Sequence, residues 1–79
     1  MDYSKMKISE IAQIIRKDWA KVNYAAEPYL DAMESLDKIT DSYFADSGRS
    51  IVTYFLCNAN SWKGENAREI KKYLNKIIK

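Results

Sequence analysis

Residues 49–59, Arg-Ser-Ile-Val-Thr-Tyr-Phe-Leu-Cys-Asn-Ala, carry apolar side chains on nearly every side when they are wound as a helix. Such a helix is usually central in a domain. The run from Ile51 to Phe55 would also suit a β-strand, because β-branched and aromatic residues favour extended backbone. A lone strand cannot satisfy its backbone hydrogen bonds, and we find no second strand candidate to pair with it. We therefore predict a helix over about 49–59, capped by Asp46 or Ser47.

Three further helices are predicted from apolar residues that recur three or four positions apart. The first covers about residues 8–22 and is expected to weaken at Asp18, the second begins near Pro28, and the fourth follows Gly64. Residues 37–48 are rich in Asp, Ser and Thr, so we expect turns and one short helical turn there. The apolar faces are Ile8, Ile11, Ala12, Ile15, Trp19 and Val22; Leu30, Met33 and Leu36; and Ala67, Ile70, Tyr73, Leu74, Ile77 and Ile78.

The length of 79 residues leaves room for one small domain. A hydrophobic share of 47% and a charged share of 30% are typical of a globular chain. The predicted fold is all-α, a single domain over residues 1–79 that forms a bundle of about four helices. We expect the third helix at its centre, where Ile51, Phe55 and Leu56 contact the other three helices. Ile39, Tyr43 and Phe44 are expected to tuck into the core.

The composition argues against catalysis and against a metal or cofactor. The chain has no histidine and one cysteine, which excludes a disulfide framework, a Cys/His zinc site and histidine-based catalysis. Cys57 is expected to be a small buried hydrophobe, since no histidine can activate it. The two glycines lie in no phosphate-binding motif, and carboxylates at helical spacing are expected to be solvated. We predict a chain that is not an enzyme and needs no metal or cofactor.

Charge is segregated along the chain. Residues 1–26 have five basic and three acidic side chains, residues 27–46 have one and six, and residues 47–79 have seven and two. Three interpretations stay open. In the first, the charged residues form solvent-exposed helix faces, and the acidic second helix lies near the basic fourth helix. In the second, the basic face binds nucleic-acid phosphates. In the third, the charges steer the chain onto a protein partner.

Tyr24 and Trp62, both in predicted loops, are the first candidates for binding, because tyrosine and tryptophan are enriched at protein interfaces. The alternative is that the aromatic residues pack in the core, and Trp62 would equally suit a place over the end of the third helix. No aromatic residue is expected among the cations of the fourth helix, where it could stack on bases. The candidate binding residues are Tyr24, Trp62, Lys63, Arg68, Lys71, Lys72 and Lys76.

Three segments between residues 24 and 79 carry a resemblance to known proteins. They are Glu27–Met33, Ser50–Leu56 with Asn58 and Ala59, and Ser61–Gly64 with Ala67, Arg68, Ile70 and Lys71 behind them. The aromatic-rich third helix and the Ser-Trp-Lys-Gly turn are the most specific parts. In these segments the chain resembles a group of small uncharacterised proteins of phages and prophages of Gram-positive bacteria. The resemblance implies a phage origin and carries over no catalytic residue.

These observations predict a non-enzymatic accessory protein that binds a host or phage protein through exposed aromatic and charged helix faces. The alternative is a small nucleic-acid-binding accessory protein that uses the basic C-terminal helix. Self-association, with the basic face of one copy on the acidic helix of another, is a third hypothesis. No segment has the ~20 apolar residues of a membrane span, and residues 1–7 lack a secretory signal. We expect the cytoplasm of the bacterial host cell and no membrane partner.

Overall fold

A computed structural model describes residues 3–43 and 46–79 and is predominantly helical, as predicted. Four α-helices are present in the described residues, together with one short 3₁₀ helix and two strands of two residues each. The segment predicted as the third helix is a helix and not a strand, so the choice of a helix, which rested on the lack of a second strand candidate, is confirmed. The elements are the 3₁₀ helix Tyr3–Lys5, α1 (Ile8–Asp18), α2 (Glu27–Met33), β1 (Ser42–Tyr43), β2 (Asp46–Ser47), α3 (Gly48–Cys57) and α4 (Glu65–Ile77).

The strands β1 and β2 correct the all-α prediction. They pair antiparallel, with Ser42 opposite Ser47 and Tyr43 opposite Asp46. The expected helical turn is absent from the described part of 37–48. Two-residue strands are too short for alternation of apolar residues to indicate them. Phe44, which we expected in the core, lies outside the described residues.

Gly48 joins this hairpin to α3, and only glycine fits there. Its N–H donates to the carbonyl of Asp41 at 2.6 Å. A Cβ atom on residue 48 would lie 2.7 Å from the carbonyl oxygen of Ile39 and 2.9 Å from that of Asp41. Ser47 caps the helix, since its hydroxyl accepts from the backbone N–H of Ser50 at 3.1 Å. The close approach to the 39–41 turn therefore sets where α3 begins.

Helix α1 ends at Asp18, four residues earlier than its apolar spacing suggests. The Trp19 N–H closes the last turn on the Ile15 carbonyl at 2.8 Å. At the other end, the N–H groups of Ile8 and Ser9 donate to the carbonyls of Asp37 and Leu36. The segment after α2 therefore satisfies helix-terminal donors that would otherwise lack partners.

The buried side chains form one cluster to which all four helices contribute. Helix α3 packs against α2 and α4, and α1 packs against the same two helices. The predicted burial is confirmed for Ile11, Ile15, Leu30, Met33, Ile51, Phe55, Ile70 and Leu74.

Helix α3 was expected at the centre of the bundle with Ile51, Phe55 and Leu56 in the core, and burial is complete only for Ile51 and Phe55. Leu56 is only partly buried, and Tyr54 is 50% exposed. Cys57 is exposed, which corrects the expectation of a buried thiol. With only three other helices, α3 keeps one side toward solvent, and both Tyr54 and Cys57 lie there. None of the described helices is long and apolar enough to cross a membrane.

Candidate functional site

Trp62 belongs to the core, so its predicted place on an exposed binding surface is wrong. The side chain is 1% exposed. Its ring stacks on Trp19 with centroids 6.0 Å apart and meets Phe55 edge-on at 6.3 Å. Its indole Nε1 donates to Oδ2 of Asp18 at 2.8 Å, which satisfies the one polar atom of the ring. Trp62 therefore fixes the loop after α3 against the end of α1.

The loops on either side of this aromatic contact lie together at one end of the helices. Asp18 also accepts from the Asn66 side chain at 3.0 Å, which ties the end of α1 to the start of α4. The Asn23 amide donates to the Asn58 carbonyl at 3.4 Å. The loop between α1 and α2 is thus held beside the loop between α3 and α4.

Tyr24 lies on the first of these loops and is 87% exposed, as the sequence predicts for a binding residue. Its neighbour Asn23 holds the backbone, because the Asn23 side-chain oxygen accepts from the Ala25 N–H at 3.2 Å. The turn is therefore ordered while the tyrosine ring projects into solvent.

A groove of about 290 Å³ opens at the start of α4, next to Trp62 and Gly64. Three of the predicted cations line it, namely Lys63, Arg68 and Lys71. Gly64 has a φ of 118°, a backbone conformation that favours glycine and turns the chain into α4.

Lys71 is held against the floor of this groove. Its Nζ donates to the Trp62 carbonyl at 2.6 Å and lies 5.7 Å from the centroid of the Trp62 ring. Burial lowers the pKa of Lys71, and the positive charge of Lys63 lowers it further. An anion bound in the groove would offset this repulsion between the two lysines. We call Tyr24, Lys63, Arg68 and Lys71 the loop-end surface.

The remaining predicted cations, Lys72 and Lys76, line a second cleft of about 750 Å³ on the other flank of α4. Tyr3 and Tyr73 share this cleft, with their ring centroids 5.9 Å apart. This corrects the expectation that no aromatic residue lies among the cations. Tyr73 is at the margin of the apolar face of α4, and the 3₁₀ helix that brings Tyr3 could not be placed from the sequence.

Arg16, which no sequence motif singles out, binds three carboxylates of α2, Glu27, Asp31 and Glu34, which we call the acidic stripe. Its guanidinium donates to Glu27 at 2.7 Å and also to Asp31 and Glu34. These three carboxylates recur at helical spacing and so lie on one face of the helix. The hydrogen bonds to Glu27 and then Glu34 raise the pKa of Arg16.

The positive charge that pairs with the acidic stripe therefore comes from α1 and not from α4. Every ion pair among the described residues belongs to Arg16. Within 3–43 and 46–79, no ion pair joins the acidic second helix to the basic fourth helix. Within the same part of the chain, no His, Cys, Asp and Glu side chains form a group that could hold a metal ion.

Comparison of the chain with protein-family models, curated proteins and solved structures found no match. The likeness to phage proteins stays a prediction from residues 24–79. The arrangement of exposed tyrosine and unpaired cations is therefore the basis for assigning a function.

Proposed function

We propose that the chain is a non-enzymatic accessory protein of a phage or prophage that binds a host or phage protein in the cytoplasm of the bacterial host. The loop-end surface is the docking surface. The observation that carries this proposal is the exposed Tyr24 on a loop hydrogen-bonded to the loop that leads into the cationic groove.

The chemistry of the surface selects an acidic partner. A tyrosine on an ordered loop loses little conformational entropy on binding and covers a large area. Lys63, Arg68 and Lys71 supply positive charge without a paired carboxylate, which accelerates association with an acidic surface and favours it over a basic one. Arg16 offsets only one of the three negative charges on the acidic stripe of α2, so the attraction of that stripe for the basic face of a second copy is weakened but not removed.

The test is capture of proteins from host lysate by the tagged chain, followed by affinity measurement with the purified captured protein. Tyr24→Ala and Lys63→Glu should each weaken binding by about ten-fold or more, as expected for hot-spot residues. Lys38→Glu is the matched control, because Lys38 is exposed in the segment after α2, at the opposite end of α1.

The Lys63→Glu loss should shrink as salt rises, since exposed charges are screened. A captured protein that binds Tyr24→Ala and Lys63→Glu as tightly as the unchanged chain would contradict this docking surface.

The second candidate function is nucleic-acid binding by α4. The observation that favours it is the cleft in which Tyr73 lies beside Lys72 and Lys76. With Arg68, these lysines form a row at four-residue spacing that is about 12 Å long at 1.5 Å per residue. A gel shift that weakens as salt rises would support this function. Absence of retardation at low salt would exclude it.

A further inference from the structure

The cleft between the 3₁₀ helix and α4 combines two kinds of chemistry in one place. Two half-buried tyrosine rings with centroids 5.9 Å apart line it. Three lysines and one carboxylate line it as well. The side chains concerned are the rings of Tyr3 and Tyr73 and the charged groups of Lys72, Lys76, Lys79 and Glu69.

The lysines follow one side of α4. Lys72 and Lys76 are four positions apart on one face of α4, about 6 Å along its axis, and Lys79, two residues past the end of the helix, lines the same cleft. None of them forms an ion pair with a described carboxylate. A ligand with several negative charges in a line would therefore meet a matching line of cations.

The tyrosine rings add a requirement that charge alone does not meet. An acidic peptide would use the lysines and leave the rings without a partner. A nucleic-acid strand uses both, because unpaired bases stack on aromatic side chains while phosphates pair with cations. Bases inside a duplex are already stacked, so the rings favour a single strand.

Glu69 is the one carboxylate in this cleft and lies close enough to Tyr3 to influence its ionisation. Burial first, and then the charges of Glu69 and Asp18, raise the pKa of Tyr3. The hydroxyl of Tyr3 is therefore neutral at neutral pH and adds no negative charge. Glu69 alone opposes the phosphates, against three lysines.

We propose that this cleft binds single-stranded nucleic acid, with a base stacked on Tyr73 and the flanking phosphates on Lys72 and Lys76. The proposal deepens the second candidate function and rests on it. It is independent of the loop-end surface, which lies at the start of α4.

Fluorescence anisotropy tests the proposal with two labelled probes, a thymidine octamer and an abasic octamer with the same number of phosphates. The thymidine octamer should bind about ten-fold more tightly at low salt, because a base stacked on an aromatic ring adds to the phosphate contacts that both octamers make. Unlabelled polyglutamate should displace it only at much higher concentration.

Substitutions at Tyr73 separate stacking from folding. Tyr73→Phe keeps the ring and should keep the preference for the thymidine octamer. Tyr73→Leu keeps an apolar side chain but removes the ring, and should bring the two octamers to equal affinity. Helix content and urea midpoint are measured for both variants.

A second substitution should strengthen nucleic-acid binding instead of weakening it. Glu69→Gln removes the opposing charge and should tighten binding of both octamers by several-fold. Glu65→Gln makes the same charge change on α4 outside the cleft and should have a smaller effect.

Equal affinity for the two octamers would overturn the cleft site and leave charge-driven nucleic-acid binding in place. An unchanged preference in folded Tyr73→Leu, or an equal effect of Glu69→Gln and Glu65→Gln, would also overturn the site. Failure of both octamers to bind would overturn the second candidate function together with the cleft.

Discussion

The acidic and basic sides of this molecule handle charge in different ways. Between α1 and α2, the single guanidinium of Arg16 binds three carboxylates. On the outer face of α4, the cations have no paired carboxylate among the described residues. The carboxylates of α2 thus hold two helices together, while the cations of α4 form no ion pair within the described residues. The modest net charge of +2 conceals this division.

Removal of the positive charge of Arg16 should have the largest effect on stability. Arg16→Met keeps an aliphatic stem but leaves Glu27, Asp31 and Glu34 to repel one another. We expect a loss of about 1–2 kcal/mol in the free energy of unfolding, because partly exposed pairs contribute up to about 1 kcal/mol each and are screened by solvent.

Urea denaturation measures this loss. Lys17→Met is the matched control, since Lys17 is the exposed neighbour of Arg16 and has no ion pair among the described residues. If Arg16→Met were no less stable than Lys17→Met, the three ion pairs would have no structural role.

On the basic side, we expect removal of a charge to raise the free energy of unfolding, by a smaller amount than Arg16→Met lowers it. Arg68→Gln and Lys72→Gln each remove one charge from a face that repels itself. Each should leave the free energy of unfolding unchanged or raise it by up to about 0.5 kcal/mol at low salt, and the gain should disappear at high salt. A clear loss of stability in either variant would show that the basic face has an internal partner.

Apolar spacing predicted most of the helical framework, because burial of one helix face is a local property of the sequence. The buried residues Ile11, Leu30 and Leu74 all come from such spacing. The choice of a helix for α3 needed only the absence of a second strand. The two-residue hairpin was missed because its pairing depends on the turn at 39–41 and on Gly48.

The candidate site was predicted less completely, since its geometry depends on contacts between distant residues. Trp62 packs on Trp19, and Asp18, 44 positions earlier in the chain, accepts its indole hydrogen. Arg16 finds Asp31 from another helix, and Tyr3 reaches Tyr73 from the other end of the chain. Spacing within one helix contains none of this information, whereas the exposure of Tyr24 followed from its place in a loop.

The pH dependence of stability should differ between the two sides, with small effects. On the acidic side, backbone N–H groups of Lys38 and Asp37 lower the pKa of Asp41. The stabilisation that ionised Asp41 gives the folded chain is complete above the unfolded pKa of about 3.9. It is lost as pH falls through the lower pKa of the folded chain. Asp41→Asn should therefore reduce the acid sensitivity seen in urea midpoints.

On the basic side, the charged form of the side chain is the one that destabilises the folded chain. Burial and Lys63 lower the pKa of Lys71 in the folded chain, so the unfolded chain binds more protons between that value and about 10.4. Stability should rise with pH in this window as Lys71 loses its proton. Within this window, urea midpoints should increase with pH more for the unchanged chain than for Lys71→Met. Lys76→Met, at an exposed site of the same helix, should keep the increase. Equal slopes for the unchanged chain and Lys71→Met would mean that the Lys71 ammonium is not destabilised in the groove, and the case for an anion beside it would then rest on Lys63 and Arg68 alone.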